Sequence, residues 1–371
     1  MEGLIGPIAL LATGDEITEG DVLNTNTPFI AKQLRQHDFQ VGQHMSVADN
    51  QATIAEAIRY LLTQHVGLIM TGGLGPTSDD RTRFALSDAV NKELKFDEAS
   101  WQHIQTRLQR LNIPIPENNR QQCFFPVGGI ILKNLHGTAN GCALDLTSHI
   151  IFMLPGPPNE CRILFETDVL PHIKQRIQSR PIYRQHFLLL GMGEGNLADE
   201  VDPLMAKFPD CQVGYRVCFP YIELKLLSSN QFSLNKLIQS TKSIITPYLI
   251  SKQNQTASEQ LQQWIIHHNT TFYFDDQATY GKFLNKLLNI QTISKFHFTN
   301  MPTADIQIQL HGLSEVWQQL TTQQTQIHVS GTHHGKSFSH SMTLGNRGDR
   351  TLDAAIEWIS WYLFKLLRSN T

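Results

Sequence analysis

The sequence predicts an α/β protein: a doubly wound, mostly parallel sheet, then a small α+β domain and a C-terminal α/β domain. Three observations predict it. Short apolar runs alternate with segments of helical periodicity over the first 90 residues. A glycine-rich loop follows directly on the third apolar run. Near residue 183 the rhythm changes to short, closely spaced strands. A chain of 371 residues is also too long for one ordinary core.

Taken in order, residues 8–12 read as a buried strand and a polar loop follows. Thr27 and Pro28 offer an N-cap and a first-turn proline for a helix carrying Ile30 and Leu34 on one face. Residues 39–45 read as a second strand. Asp49-Asn50 can cap the next helix, on which Ile54, Ile58, Leu61 and Leu62 recur at helical spacing. Residues 68–71 form a third strand, running into the glycine loop and another helix. Strand and helix alternating in this way mean a parallel sheet with helices on both faces. Trp101, Ile104, Leu108 and Leu111 fit an amphipathic helix that stops before Pro114. Residues 130–132, 142–146 and 150–154 are strand candidates, and Pro155-Gly156-Pro157-Pro158 must be a rigid turn before a helix reaching about Arg176. Further on, 186–190, 213–217 and 222–227 look like strands, and 197–205 and 234–250 like helices. Residues 251–258 have the composition of a linker. The expected domains are 1–178, 183–250 and 259–371, the last closing in a helix over 352–367.

Composition narrows the partners. A net charge of −3 argues against direct nucleic-acid binding, which normally needs a basic face, and leaves small anionic ligands open. The five cysteines show no paired spacing, and their odd number suggests reduced thiols rather than a disulfide framework. The apolar N-terminal run lacks a basic flank and a small-residue cleavage site, so it reads as a strand. No apolar segment approaches the ~20 residues that span a bilayer. A cytoplasmic protein acting on a small molecule, away from membranes, is expected.

The loop Gly72-Gly73-Leu74-Gly75-Pro76-Thr77-Ser78-Asp79-Asp80 carries the chemistry. Glycines after a buried strand let the backbone approach a ligand and aim amides at one point, and a following helix adds its positive end. That favours phosphate or diphosphate. The loop has no Lys-Ser/Thr after its last glycine and no G-x-G-x-x-G spacing, so it is neither a Walker nor a dinucleotide loop. Two carboxylates at an anion site would repel a phosphate unless a cation lies between them, so Asp79 and Asp80 suggest a divalent metal with hard oxygen ligands. The plain alternative is that one of them caps the helix. Asp15-Glu16 and Asp49 follow the first and second strands, where loops of a doubly wound sheet converge. Asp49 reads almost equally well as a helix cap. Asn24 and Asn26 either orient a ligand or shape the turn before Pro28.

Several motifs in one order resemble the CinA family. They are Thr13-Gly14-Asp15-Glu16-Ile17, Asn24-Thr25-Asn26, Val47-Ala48-Asp49-Asn50 and the loop from Gly72 through Arg81-Thr82. The resemblance continues through Asn118-Asn119-Arg120-Gln121-Gln122, Pro126-Val127-Gly128, Asn134, Gly137-Thr138-Ala139-Asn140-Gly141, Pro155-Gly156-Pro157-Pro158-Asn159-Glu160, Gly191-Met192-Gly193-Glu194 and Leu197. The family's first domain is related to molybdopterin enzymes of the MoaB/MogA type, which adenylylate or bind a pterin. Their acidic pair matches Asp49 and Asp80. Asp15 stands where many members have threonine, and Asn140 replaces a usual proline.

The resemblance implies a homodimeric, metal-dependent pyrophosphatase acting on ADP-ribose-like nucleotides. Magnesium, cobalt or manganese is the implied ion, with potassium as a further candidate. The expected catalytic residues are Asp49 and Asp80. Gly14, Asn26, Gly72, Gly73, Leu74, Gly75, Thr77, Pro155 and Gly156 are expected to hold the nucleotide and its diphosphate. Glu16, Asp79 and Asp80 are expected to hold the metal. A non-catalytic nucleotide- or pterin-binding regulatory module is one competing reading, and a nicotinamide-mononucleotide deamidase is another.

The last domain in this family resembles nicotinamide-mononucleotide deamidase, with the hallmark Ala-Glu-Ser-Cys-Thr-Gly-Gly. Here Phe274-Asp275-Asp276-Gln277-Ala278-Thr279-Tyr280-Gly281 stands in its place, with Gln277 at the serine position. A carboxamide cannot replace a hydroxyl nucleophile, so a degenerate deamidase domain is expected. Asn346-Arg347-Gly348-Asp349-Arg350 and the closing helix match the family's end. The pair His333-His334 reads as a solvated loop, and Trp358, Trp361 and Tyr362 read as core.

Overall fold

The computed structural model describes residues 3–299 and 304–369. It divides into two compact units, Met1–Pro181 and Ile182–Thr371.

The first unit begins with β1 (Ile8–Thr13), the short α1 (Asp15–Thr18), α2 (Asn26–Gln36), β2 (Val41–Val47), α3 (Gln51–Leu62), β3 (Gly67–Thr71) and α4 (Thr82–Val90). It continues with β4 (Leu94–Phe96), α5 (Glu98–Arg110), β5 (Phe124–Pro126), β6 (Ile130–Leu132), β7 (Gly141–Asp145), β8 (Ile150–Leu154), α6 (Pro158–Leu164) and α7 (Leu170–Arg176). One sheet runs in the order β2-β1-β3-β8-β7-β6. Its first four strands are parallel, and β7 runs antiparallel to both of its neighbours, β8 and β6. Strands β1, β3 and β8 are buried throughout, as expected of strands covered on both faces. One face packs Ile30 and Leu34 of α2 with Leu164 and Ile173, and the other packs Ile54, Ile58 and Leu61 of α3 with Leu86 of α4. This is the expected doubly wound, mostly parallel α/β fold.

Local capping departs from expectation in an informative way. The helix expected to be capped by Thr27 and to start at Pro28 starts at Asn26, and the Asn24 side chain accepts from the Thr27 amide at 3.2 Å. The α3 helix is capped by Asn50, whose Oδ1 accepts from Ala52 and Thr53, so Asp49 is not its cap. The second strand covers 41–47 rather than 39–45, with Phe39 buried just before it. Between α6 and α7 the helix widens into one π turn, Phe165–Val169, directly before Pro171, which brings no amide hydrogen to the ladder.

The second unit carries two sheets. β9 (Tyr183–Leu190), α8 (Glu194–Met205), β10 (Cys211–Cys218), β11 (Tyr221–Ser228), α9 (Gln231–Ile245) and β12 (Leu249–Ser251) form an antiparallel sheet in the order β10-β11-β9-β12. The helix expected over 234–250 ends at Ile245, because Pro247 follows and the chain turns into an edge strand. Helices α8 and α9 cover one sheet face, while Leu188, Tyr221 and Ile250 pack with Ala257 on the other.

Next come α10 (Ala257–His267), β13 (Phe272–Asp276), α11 (Lys282–Leu287), β14 (Phe296–His297), β15 (Ile306–Gly312), α12 (Ser314–Trp317), β16 (Gln324–His333), β17 (Lys336–Gly345) and α13 (Asp349–Ser369). They build a mixed sheet in the order β14-β13-β15-β16-β17. The expected linker over 251–258 is structured. Ser251 belongs to β12, Thr256 forms a capping box with Glu259, and Ala257 and Ser258 are buried. Buried Glu357 of α13, 6% exposed, accepts from Tyr221 Oη, Ser258 N and Ser258 Oγ at 2.5–2.9 Å. His333 is also buried rather than solvated. It is the last residue of β16, and His334-Gly335, both at positive φ, make the two-residue turn into β17. Trp358 is core, and Trp361 and Tyr362 beside it are half-buried.

Candidate functional site

Parallel strands bring the loops after β1, β2, β3 and β8 to one edge of the first unit. There they enclose a cavity of about 400 Å³. Gly14 and Glu16 come from the first loop, Asp49 from the second, Gly72 to Gly75 with Asp79 and Asp80 from the third, and Pro155 and Gly156 from the fourth. Asn26, at the start of α2, completes the wall. Of the residues expected at the site, Thr77 alone does not line the cavity.

The glycine loop turns at two positions where only glycine fits. Gly72 has φ +101°, and a Cβ there would lie 2.3 Å from the Thr13 carbonyl oxygen. Gly73 has φ +62°, and a Cβ would meet Thr82 Oγ1 at 2.2 Å. Thr82 ties the loop to the first turn of α4: its hydroxyl donates to the Gly72 carbonyl at 2.9 Å, and its amide to that of Gly73 at 3.2 Å. From behind, Gln122 and Arg83 both donate to the Leu74 carbonyl, and Gln121 to that of Gly75.

These bonds decide which amides remain for a ligand. Gly72 donates to the Leu154 carbonyl, and Gly75 donates to Asp80 Oδ1 at 2.7 Å. Neither can hold a diphosphate as expected from the sequence. Among the described residues, the amides of Gly73 and Leu74 are left without a protein acceptor, and two successive amides after a left-handed turn make a small anion nest. Asp80 plays a different part from the one expected. Its Oδ2 accepts from Thr77 N at 2.9 Å and from Thr77 Oγ1, so both oxygens help to fold the loop. Nor does either aspartate cap α4, whose first residue is Thr82.

The other carboxylates gather around Asp49. Its amide donates to Asp15 Oδ1 at 2.9 Å, and the Asp15 amide returns the bond to Asp49 Oδ2 at 3.2 Å. Its remaining oxygen, Oδ1, is buried with no protein partner. Burial pushes the Asp49 carboxyl up to about 6, and the charges of Asp15, Glu16 and Asp79 push the same way. The Glu16 carboxylate folds back over Gly14, 2.6 Å from where a Cβ would stand.

Among the described residues, no group of three His, Cys, Asp or Glu side chains is placed to hold a metal, so Glu16, Asp79 and Asp80 do not form a ready-made cage. The donor set still fits a divalent cation that shares its coordination with ligand phosphate. It offers the hard oxygens of Glu16 and Asp79 and, with Asp15 and Asp49 beside them, an excess of negative charge.

Sequence reasoning missed several residues at this edge. Val22 and Leu23 line the cavity while exposed, Leu23 at 84%, and give it an apolar rim. Gln122, Thr138 and Glu160 line it too, and their motifs were visible although their place was not. Arg83 was missed altogether. It is 0% exposed, makes one hydrogen bond, and leaves Nε and Nη1 unpaired. Burial lowers its pKa to about 10, which the nearby Asp80 charge opposes, so it stays charged at neutral pH. An arginine in the first turn of a half-buried helix gives no sign in sequence of which way it points.

In the second unit, Gln277 lies in the loop between β13 and α11, with its amide on the Leu310 carbonyl and its side chain on Asp275. Asp276 holds that loop by accepting from the amides of Thr279 and Gly281.

Fold and site together define a doubly wound α/β domain with a nest of two uncommitted amides and a carboxylate cluster at its carboxyl edge. The family described as "Probable molybdopterin binding domain" matches residues 9–175. A protein named as competence-damage inducible from Alkaliphilus metalliredigens is 30% identical over 305 residues, 79% of this chain and 73% of that one. Another so named, from Clostridium novyi, is 28% identical over 305 residues, covering 79% of this chain and 72% of its own length. Among solved structures, CinA of Thermoplasma acidophilum is 26% identical, with a TM-score of 0.42, over 45% of this chain and 98% of that one. The chain belongs to the competence-damage inducible (CinA) protein family.

Proposed function

We propose that the cavity binds the diphosphate of an ADP-ribose-like nucleotide and hydrolyses it with a divalent cation. One observation carries this reading: two uncommitted amides, Gly73 and Leu74, stand in the same cavity as a carboxyl poised near neutrality, Asp49. The amides take a phosphate oxygen and stabilise the negative charge that grows on it. Asp49, through its unpartnered Oδ1, accepts the proton of the attacking water. The new P–O bond forms as the bridging P–O bond breaks, so ADP-ribose and water give AMP and ribose 5-phosphate. A divalent cation, when bound by Glu16 and Asp79 with phosphate oxygens, supplies neutralisation of the diphosphate charge. Asp80 serves this chemistry by shaping the loop.

The test is AMP release from ADP-ribose by the purified chain with magnesium, cobalt or manganese. Release that Asp49→Asn abolishes while ADP-ribose still binds supports hydrolysis. Tight binding with no AMP from any of the three metals supports a second reading, a binding module without turnover. That reading draws on Asp80, both of whose oxygens are bonded within its own loop. For the second unit, Gln277 at the nucleophile position supports a deamidase-like domain that no longer deamidates.

A further inference from the structure

Asn26 is 7% exposed and lines the cavity from the first residue of α2. Its Nδ2 donates to the Gly156 carbonyl at 2.7 Å. A carbonyl only accepts, so this bond fixes which way the amide points. The other end, Oδ1, is buried, and no protein donor reaches it. Gly156 in turn lies against the glycine loop, since a Cβ on it would be 3.6 Å from Gly72 Cα. Asn26 is therefore held in place beside the anion nest, with a buried acceptor uncommitted.

A buried acceptor without a donor costs about 1–3 kcal/mol, so a ligand that supplies a donor is favoured by a comparable amount over one that does not. A phosphate oxygen cannot supply it, because two acceptors repel. From this the geometry points to Asn26 as a specificity residue. It reads a neutral O–H or N–H carried next to the diphosphate, and so selects nucleoside-linked diphosphates over free pyrophosphate. The inference rests on the reading that the nest holds a diphosphate. The donor is either a ribose hydroxyl or an N–H of the base, and the shared chemistry is one hydrogen bond into Oδ1.

Calorimetric titration of the full chain, with magnesium present, tests this with ADP, 2′-deoxy-ADP, 3′-deoxy-ADP, N6,N6-dimethyl-ADP and inorganic pyrophosphate. Wild type binds one modified nucleotide about 5- to 100-fold more weakly than ADP, and which one identifies the donor. In Asn26→Leu that gap closes to within about twofold, whatever the change in overall affinity. If Asn26→Leu does not fold, the wild-type series decides alone, because the inference requires one modified nucleotide to bind more weakly than ADP. If wild type binds all four nucleotides alike, or Asn26→Leu weakens every probe equally, the inference falls and the diphosphate reading stands. If neither ADP nor pyrophosphate binds wild type, both fall.

Discussion

Asp49 shows how one side chain links site chemistry to stability. Its carboxyl is raised in the folded chain, so the folded state holds a proton that the unfolded state releases between about pH 4 and 6. Folding therefore loses stability as pH rises through that window, and the loss persists above it. Asp49→Asn should raise the melting temperature of the ligand-free protein at pH 8, and the gain should vanish below about pH 4, where both states are protonated. Thermal unfolding at the two pH values checks this; a gain that is equal at both would place the effect elsewhere.

Arg83 gives the opposite trade. Its charge is fully buried with one hydrogen bond and no ion pair, and Gln122 already serves the Leu74 carbonyl. Replacing such a charge by an apolar side chain of similar length is often stabilising, here by roughly 1 kcal/mol. Arg83→Met should melt higher yet bind pyrophosphate more weakly, because the nest loses the cation behind it. A destabilised variant would instead make Arg83 a structural anchor.

At the scale of elements, the glycine loop is a folded object rather than a flexible strap. Asp80 closes it across three to five residues, and Thr82 joins it to α4. Gly73→Ala forces a Cβ to within 2.2 Å of Thr82 Oγ1 at a positive φ. That should cost about 1–3 kcal/mol and abolish anion binding, as unfolding and titration with pyrophosphate would show. Full pyrophosphate affinity in that variant would remove the nest from the account.

The elements themselves were mostly legible. Periodicity placed β1, α3, β3 and α5, and the strands over 130–154 fell within a residue of their bounds. The caps were less legible, because Asn24, Thr27, Asp49 and Asn50 are all competent caps and only tertiary packing chose among them. The role of Asp80 was hidden for the same reason. An aspartate after a glycine loop can face a ligand or its own loop, and composition does not separate the two. The strand β12 was masked by the apolar run of the helix before it, although Pro247 marked the break.

At the scale of the whole molecule, the family name could be read from motif order, while the chemistry of the last domain could be read only by what it lacks. Nicotinamide mononucleotide incubated with the full chain should release no ammonia above background, because Gln277 offers no hydroxyl; clear release would restore the deamidase. The join between the two sheets of this unit lay beyond sequence reasoning, since Glu357 looks like a surface residue of an amphipathic helix. It accepts three hydrogen bonds in the core instead, two of them from Ser258 at the start of α10 and one from Tyr221 of β11.

The central claim is that a diphosphate sits between the Gly73–Leu74 amides and Asp49. A crystal structure with a non-hydrolysable methylene analogue of ADP-ribose and magnesium tests it most directly. Phosphate oxygens should lie on the amides of Gly73 and Leu74, with the bridging group within reach of Asp49 through one water and Asp80 still bonded to Gly75 and Thr77. A diphosphate bound away from those amides, or Asp80 released from its loop to take the metal, would contradict it.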